Sequence, residues 1–319
     1  MMGRHRREVT VALAIAALAL LLLVSSPAFF SRDNLTDIFL ANMPVLIVAV
    51  GMTLIILTGQ IDISVGSVFA ICGVTAGLLA KAGLPLLLVI AGACLTGAAF
   101  GALTGALVAF VRIPSIVATL ATMVALRDGL RWTTDGAWIQ DLPSGFQWLG
   151  LSQHRYPVVA GLIAFGLYAL FAWSLRNLRL GRAVYATGSN RAAARLAGVH
   201  TSLATFAVFT LAGGLTGLAA LLNAVRFNQI PSNAGLGLEM QVIAAVVVGG
   251  TAINGGRGTL AGTLLGVILM GIIGPALTFL GVSAYWERAI QGAIILTAVV
   301  VDALRVRPVS HTALAGGHV

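Results

Sequence analysis

Residues 180–199 read Leu-Gly-Arg-Ala-Val-Tyr-Ala-Thr-Gly-Ser-Asn-Arg-Ala-Ala-Ala-Arg-Leu-Ala-Gly-Val. The stretch is polar and basic in a chain that otherwise favours lipid, and the remaining segments are placed relative to it. Ser189 or Asn190 can cap a helix by accepting from orphan backbone N–H groups, the run Arg191 to Leu196 favours helix strongly, and Gly198 suits its C-terminal end. The result is a short helix of about two turns. It is too short to cross lipid and too basic to lie within it, so it belongs in water on the cytoplasmic side, between two membrane spans and within reach of a partner. An ordinary loop helix is the alternative.

Outward from this stretch the chain is 59% hydrophobic and 9% charged, with a mean hydropathy of +0.99, which excludes an ordinary soluble domain. The apolar runs are about 20 residues long and lack the alternation of barrel strands. The fold class is therefore all-α, a polytopic helical membrane protein. A net charge of +9 would suit nucleic acid, but the basic residues lie at span ends and no soluble domain carries a binding face, so no nucleic-acid partner is expected. Cys72 and Cys94 fall inside predicted spans and read as packing residues.

The first apolar run, about 9–30, follows Arg4, Arg6 and Arg7 and so resembles a signal peptide. It reads as a retained span, because it is longer than a secretory apolar region and Ser25-Ser26-Pro27-Ala28 leads into Phe29-Phe30. Further runs lie at about 37–58, 63–80, 85–110, 113–131, 157–175, 203–224, 240–256, 259–280 and 286–304, which makes ten spans. Both termini then fall in the cytoplasm of a bacterial inner-membrane protein. Twelve arginines from Arg4 to Arg307 collect inside, Arg112, Arg176, Arg182, Arg195 and Arg257 among them, against seven basic residues outside, so the positive-inside rule holds. One outer loop, about 132–156, carries Trp132, Trp138, Phe146 and Trp148, expected at the membrane interface or in docking. The chain reads as one transmembrane domain, 1–307, with a short cytoplasmic tail, 308–319. Gly97, Gly101 and Gly105, then Gly258, Gly262 and Gly266, then Gly213 and Gly217 give flat faces for close helix packing.

A primary pump would need a phosphate-cradling loop with a lysine, yet the only lysine is Lys81, in Ala80-Lys81-Ala82. Gly255 to Gly262 is glycine-rich but lacks the strand and acidic partner of a dinucleotide fold. The histidines His5, His154, His200, His311 and His318 form no metal-ligand or nucleophilic pattern. No catalytic residue, metal or cofactor is therefore expected in this chain. Asp62, Asp128, Glu239, Glu287 and Asp302 all read as lying near span ends, which disfavours an ion-driven secondary carrier and leaves it as the alternative.

Thr58-Gly-Gln-Ile-Asp-Ile-Ser-Val-Gly-Ser67, Ile113-Pro-Ser-Ile-Val-Ala-Thr-Leu120, Gly181 to Val199, Gly237-Leu-Glu-Met-Gln-Val-Ile-Ala-Ala-Val-Val-Val-Gly-Gly250 and Gly255-Gly-Arg-Gly258 occur in that order over nearly the whole length. In this the chain resembles the permease subunits of bacterial ABC importers for pentoses and related sugars. The loop Gly136-Ala-Trp-Ile-Gln-Asp-Leu-Pro143 is most similar to permeases for rhamnose or the furanosyl quorum-sensing signal, with ribose permeases a little further away. The resemblance implies pairing with a second copy or a sister permease, two cytoplasmic ATP-binding subunits that hold the ATP and Mg, and an extracytoplasmic sugar-binding protein. It further implies that Gly188, Asn190, Ala193, Ala194, Arg195, Leu196 and Gly198 form a coupling helix that docks in the ATPase. Arg195 could pair there with an acidic residue, whereas Arg191 departs from the acidic or small residue frequent at its position. If that helix faces water, Ala194→Arg should leave the fold intact and block docking. Asp62 and Ser64 read either as a cap on the third span or as a gate, and Glu239 either as a complement to a helix dipole or as a contact with the binding protein. Asn42, Asn223 and Gln291 are polar residues able to meet a sugar inside the spans, and nothing in the sequence singles one out.

Overall fold

The computed structural model describes residues 2–283 and 285–305, and these are helical over most of their length. The helices are α1 (Met2–Ser25), α2 (Arg32–Leu57), α3 (Val65–Lys81), α4 (Leu86–Ala109), α5 (Ser115–Thr134), α6 (Tyr156–Asn177), α7 (Arg179–Ser189), α8 (Arg191–Leu196), α9 (Thr201–Ala224), α10 (Leu238–Val248), α11 (Leu260–Phe279) and α12 (Trp286–Arg305). Among the described residues there is no strand, only an isolated bridge between Ile139 and Ile230. Six helices, α1 from Glu8 on, α2, α4, α6, α9 and α11, are long and apolar enough to cross a membrane. The expected tail, 308–319, lies outside the described residues.

Helix α2 is apolar all round and sits at the centre, with every residue from Asn42 to Leu57 buried. Around it α4 and α9 approach until their backbones touch. Gly97 and Gly101 face Gly213 and Gly217, and a Cβ on Gly213 would stand 2.9 Å from the Gly97 carbonyl carbon and 3.0 Å from the Gly101 Cα. Between helices in lipid such small residues replace a hydrophobic drive with close van der Waals contact. A second seam joins α10 to α11 through Gly249, Gly262 and Gly266. The third member expected of it, Gly258, precedes α11 in the connecting loop and is not on the helix face.

Successive helices return to alternate ends. At one end the Gly256 N–H donates to the Leu57 carbonyl (2.9 Å), the Ile61 N–H donates to Ser115 Oγ (3.2 Å), and Thr259 Oγ1 donates to Glu8 Oε1 (2.7 Å). The pair α7–α8 lies here. At the other end Ile139 and Ile230 exchange two backbone hydrogen bonds of 3.0 and 2.9 Å, and the Trp148 N–H donates to the Val225 carbonyl (2.8 Å). The loop 135–155 therefore folds over the chain's own segment 225–232, with Phe146 buried and the Trp148 and Tyr156 ring centroids 5.3 Å apart. Of the four aromatics expected at an interface, only Trp132 (82% exposed) and Trp138 (46%) face outward.

Helix α10 stops at Val248, whereas the apolar run led to a span over 240–256. Eleven residues rise about 16 Å, roughly half of a hydrocarbon core. Gly249, pressed against the backbone of α11 at Gly262, and Gly250, at φ 98°, end the helix. The chain then turns through 251–259, where the Ala252 N–H donates to the Arg257 carbonyl (2.8 Å). A second interruption falls between Leu57 and Val65, where the chain is unwound before α3 begins.

Candidate functional site

The polar stretch forms two helices with a sharp break between them. Asn190 is extended (φ −159°) and caps α8, its Oδ1 accepting from the Ala193 N–H at 3.0 Å. Gly198 (φ 81°) ends the segment in a conformation that favours glycine. Helix α7, residues 179–189, is the part that the sequence reading did not separate. Ala194 is 5% exposed while Leu196 is 92% exposed, so the expectation for Ala194→Arg is corrected. That methyl faces the protein, and a guanidinium there would unseat α8. Ala193 and Leu196 present the outward surface. Both arginines turn back toward α9, Arg195 Nε donating to Thr201 Oγ1 (3.0 Å) and Arg191 Nη2 to Thr205 Oγ1 (3.2 Å). Burial, with some repulsion from Arg195, lowers the Arg191 guanidinium pKa from its usual value.

Gly188 ties this pair to the membrane helices. A Cβ there would collide with the Leu57 carbonyl and stand 2.6 Å from the Gly256 nitrogen, and a Cβ on Gly255 would meet the Gly59 nitrogen at 2.6 Å and Gly188 Cα at 3.1 Å. The end of α7, the unwound segment after α2 and the turn after α10 thus meet backbone to backbone. Tyr185 adds a hydrogen bond from its hydroxyl to the Gly258 carbonyl (3.0 Å).

Along the unwound segment, Asp62 is buried and its Oδ1 accepts from both the Ser64 N–H (2.8 Å) and the Ser64 hydroxyl (2.6 Å). Ser64 precedes α3, but its side chain makes no capping bond. The cap read from the sequence is therefore replaced by a local Asp-Ser turn. Glu239 is 8% exposed in the first turn of α10. Because α10 is only half a span, its beginning lies deep, where a Cβ on Gly66 of α3 would collide with the Glu239 carboxylate and stand 3.4 Å from Arg127 Nη2 of α5. Arg127, also 8% exposed, donates through Nη1 to the Ala234 carbonyl (2.9 Å). Glu239 Oε2 has no hydrogen-bond partner among the described residues. Two ionisable side chains, Arg127 and Glu239, are thus buried near one another at a depth the sequence hid.

Above this point a cavity of about 770 Å³ opens between α2, α3, α9, α10 and α12. Asn223, Gln241, Glu287, Arg288 and Gln291 provide its polar wall, and Phe69 lies on the apolar side. Gln291 Nε2 donates to Glu287 Oε1 (3.1 Å), leaving its carbonyl oxygen for another donor. Pro44 lines the cavity from within α2, and with no N–H it leaves the Leu40 carbonyl without its helical donor. Of the three polar span residues named from sequence, Asn223 and Gln291 reach the cavity. Asn42 is buried beside Gly271, donating to the Ile38 carbonyl (2.8 Å).

A family model described as "Branched-chain amino acid transport system / permease component" matches residues 34–299. The chain is 39% identical over 295 residues to the ribose import permease protein of Escherichia coli strain K12, covering 90% of this chain and 92% of that one. It is 36% identical over 304 residues to the autoinducer 2 import system permease protein of Salmonella typhi, covering 94% and 86%. No solved structure matches it.

Proposed function

The chain belongs to the branched-chain amino acid transport system / permease component family, and on that premise we propose that it is the transmembrane permease of an ATP-driven importer for a monosaccharide or sugar-like solute. The observation that carries the proposal is the cavity. Its amides and charged groups on one wall and Phe69 on the other suit a solute with many hydroxyls and apolar C–H faces. Full-length similarity to two sugar-type import permeases supports the same class.

In this reading the membrane is crossed ten times, by α1 to α6, α9, α11 and α12, and by the segment 225–259, of which the half-length α10 is the helical part. The end that bears α7–α8 faces the cytoplasm and receives two ATP-binding subunits. The cavity end faces a sugar-binding protein, and a second copy or sister permease completes the channel. Energy comes from ATP hydrolysis in the partner subunits, and this chain supplies the path and the coupling surface. Asp62 and Ser64, at the unwound break beside the joint, are placed to act as a gate.

The test is ATP hydrolysis by the permease–ATPase complex in lipid, stimulated by the binding protein loaded with ribose, rhamnose, the furanosyl signal or leucine. Stimulation by a sugar-loaded protein supports the proposal and names the substrate. Stimulation by leucine alone would move the assignment to the amino-acid branch of the family. Sugar uptake driven by an ion gradient without ATPase would replace the importer with a secondary carrier.

A further inference from the structure

A second hollow, of about 650 Å³, lies at the α7–α8 end of the bundle, where α4 ends and α9 begins. Arg112, Arg195 and His200 line it, and no carboxylate does. Arg195 is steadied through its Nε by Thr201, which leaves its other donors unengaged by that bond. Arg112 follows α4 with a left-handed backbone (φ 65°), which a non-glycine residue adopts at some cost. The hollow has an exposed apolar rim. Phe110 and Leu203 line it and are 55% and 56% exposed, as is the adjacent Val111 at 63%. Helix α4, which leads into it, is among the least buried of the long apolar helices.

We infer that this hollow binds the phosphate of an anionic lipid headgroup. Two guanidinium groups and an imidazole without a neighbouring acid match a phosphate diester, and guanidinium is the side chain best shaped for phosphate oxygens. The first turn of α9 adds backbone N–H groups and the positive end of its dipole. The exposed Phe110, Val111 and Leu203 choose between sources of phosphate, because a free anion gains nothing from an apolar rim while a lipid places its glycerol and acyl carbons there. Since Arg195 belongs to α8, an occupied hollow would hold the C-terminal end of α8 against the membrane. Lipid composition would then set how firmly the coupling surface is seated. The inference concerns lipid binding and stands or falls independently of the transported solute.

The experiment places the full-length chain in phosphatidylcholine vesicles with spin-labelled phosphatidylglycerol or spin-labelled phosphatidylcholine, and reads the motionally restricted fraction by electron paramagnetic resonance. The wild-type chain should restrict phosphatidylglycerol preferentially. Arg112→Asn combined with His200→Gln should cut that preference roughly fivefold or more, Arg112→Lys should retain most of it, and Arg182→Gln, a basic change outside the hollow, should leave it intact. Should the double variant fail to fold, Arg112→Gly suits the backbone at φ 65° and removes the same charge. Equal restriction of both labels by the wild type, or an unchanged preference in the double variant or in Arg112→Gly, would overturn the inference. Displacement of the label by millimolar inorganic phosphate would also overturn it, in favour of a free anion.

Discussion

Leu196 offers a sharp test of the coupling surface. It is 92% exposed on a helix that lies outside the apolar bundle, so it stabilises nothing in the isolated chain and is free to be buried by a partner. Leu196→Ser should therefore leave the thermal unfolding midpoint of the purified permease unchanged, as surface substitutions do to within about 0.5 kcal/mol. If a pocket of the ATP-binding subunit encloses the side chain, its removal costs about 1.5–3 kcal/mol of docking energy. That weakens the permease–ATPase complex about tenfold to a hundredfold. The assay is titration of the ATPase onto immobilised permease, alongside hydrolysis stimulated by the loaded binding protein. Ala194→Arg, about one helical turn from Asn190, is the contrasting variant. Its site is 5% exposed, so it should lower docking by displacing α8 itself, and protease should cut the 190–200 segment faster. Undiminished ATPase affinity in Leu196→Ser would refute the assignment of this face.

Asn190→Ala removes the cap bond to the Ala193 N–H and should cost α8 about 1 kcal/mol. The result should be a severalfold fall in stimulated hydrolysis with little change in the global unfolding midpoint. Gly213→Ala puts a methyl into the Gly97–Gly101 backbone and should destabilise the bundle by about 1–3 kcal/mol through overpacking, read as a lower unfolding midpoint in detergent. Gln291→Met keeps volume but removes an amide from the cavity wall. Losing one hydrogen bond of about 0.5–1.5 kcal/mol should slow uptake from saturating loaded binding protein two- to tenfold, with ATPase binding unchanged.

The apolar runs specify the helices because lipid leaves a backbone no other way to satisfy its polar groups. The Asn190 cap and the glycine end at 198 are likewise local, and both are legible as sequence. What escapes the sequence depends on contacts distant along the chain. Nothing between Val242 and Val248 signals that α10 will stop short; the stop is made by Gly249 meeting Gly262 across a seam. Glu239 consequently reads as a span-end charge although it sits beside Arg127 in the interior. Likewise the inward turn of Phe146 and Trp148 follows from pairing with residues 225 and 230. The exposed side of α8 could not be assigned either, because in Arg191-Ala-Ala-Ala-Arg-Leu the three alanines are chemically equivalent until the fold buries one of them, Ala194.

The contact of Gly188 with Leu57 and Gly256 is made by main chain alone, and this gives it the character of a mechanical bearing. A side-chain contact can absorb a push by changing rotamer, whereas carbonyl against Cα has no such slack. Any stroke delivered to α7 must therefore reappear as displacement of the two broken segments, 57–65 and 249–259. One of these leads to α3 and the other follows α10, so a displacement at α7 would reach both the helix that bears Gly66 and the helix that bears Glu239.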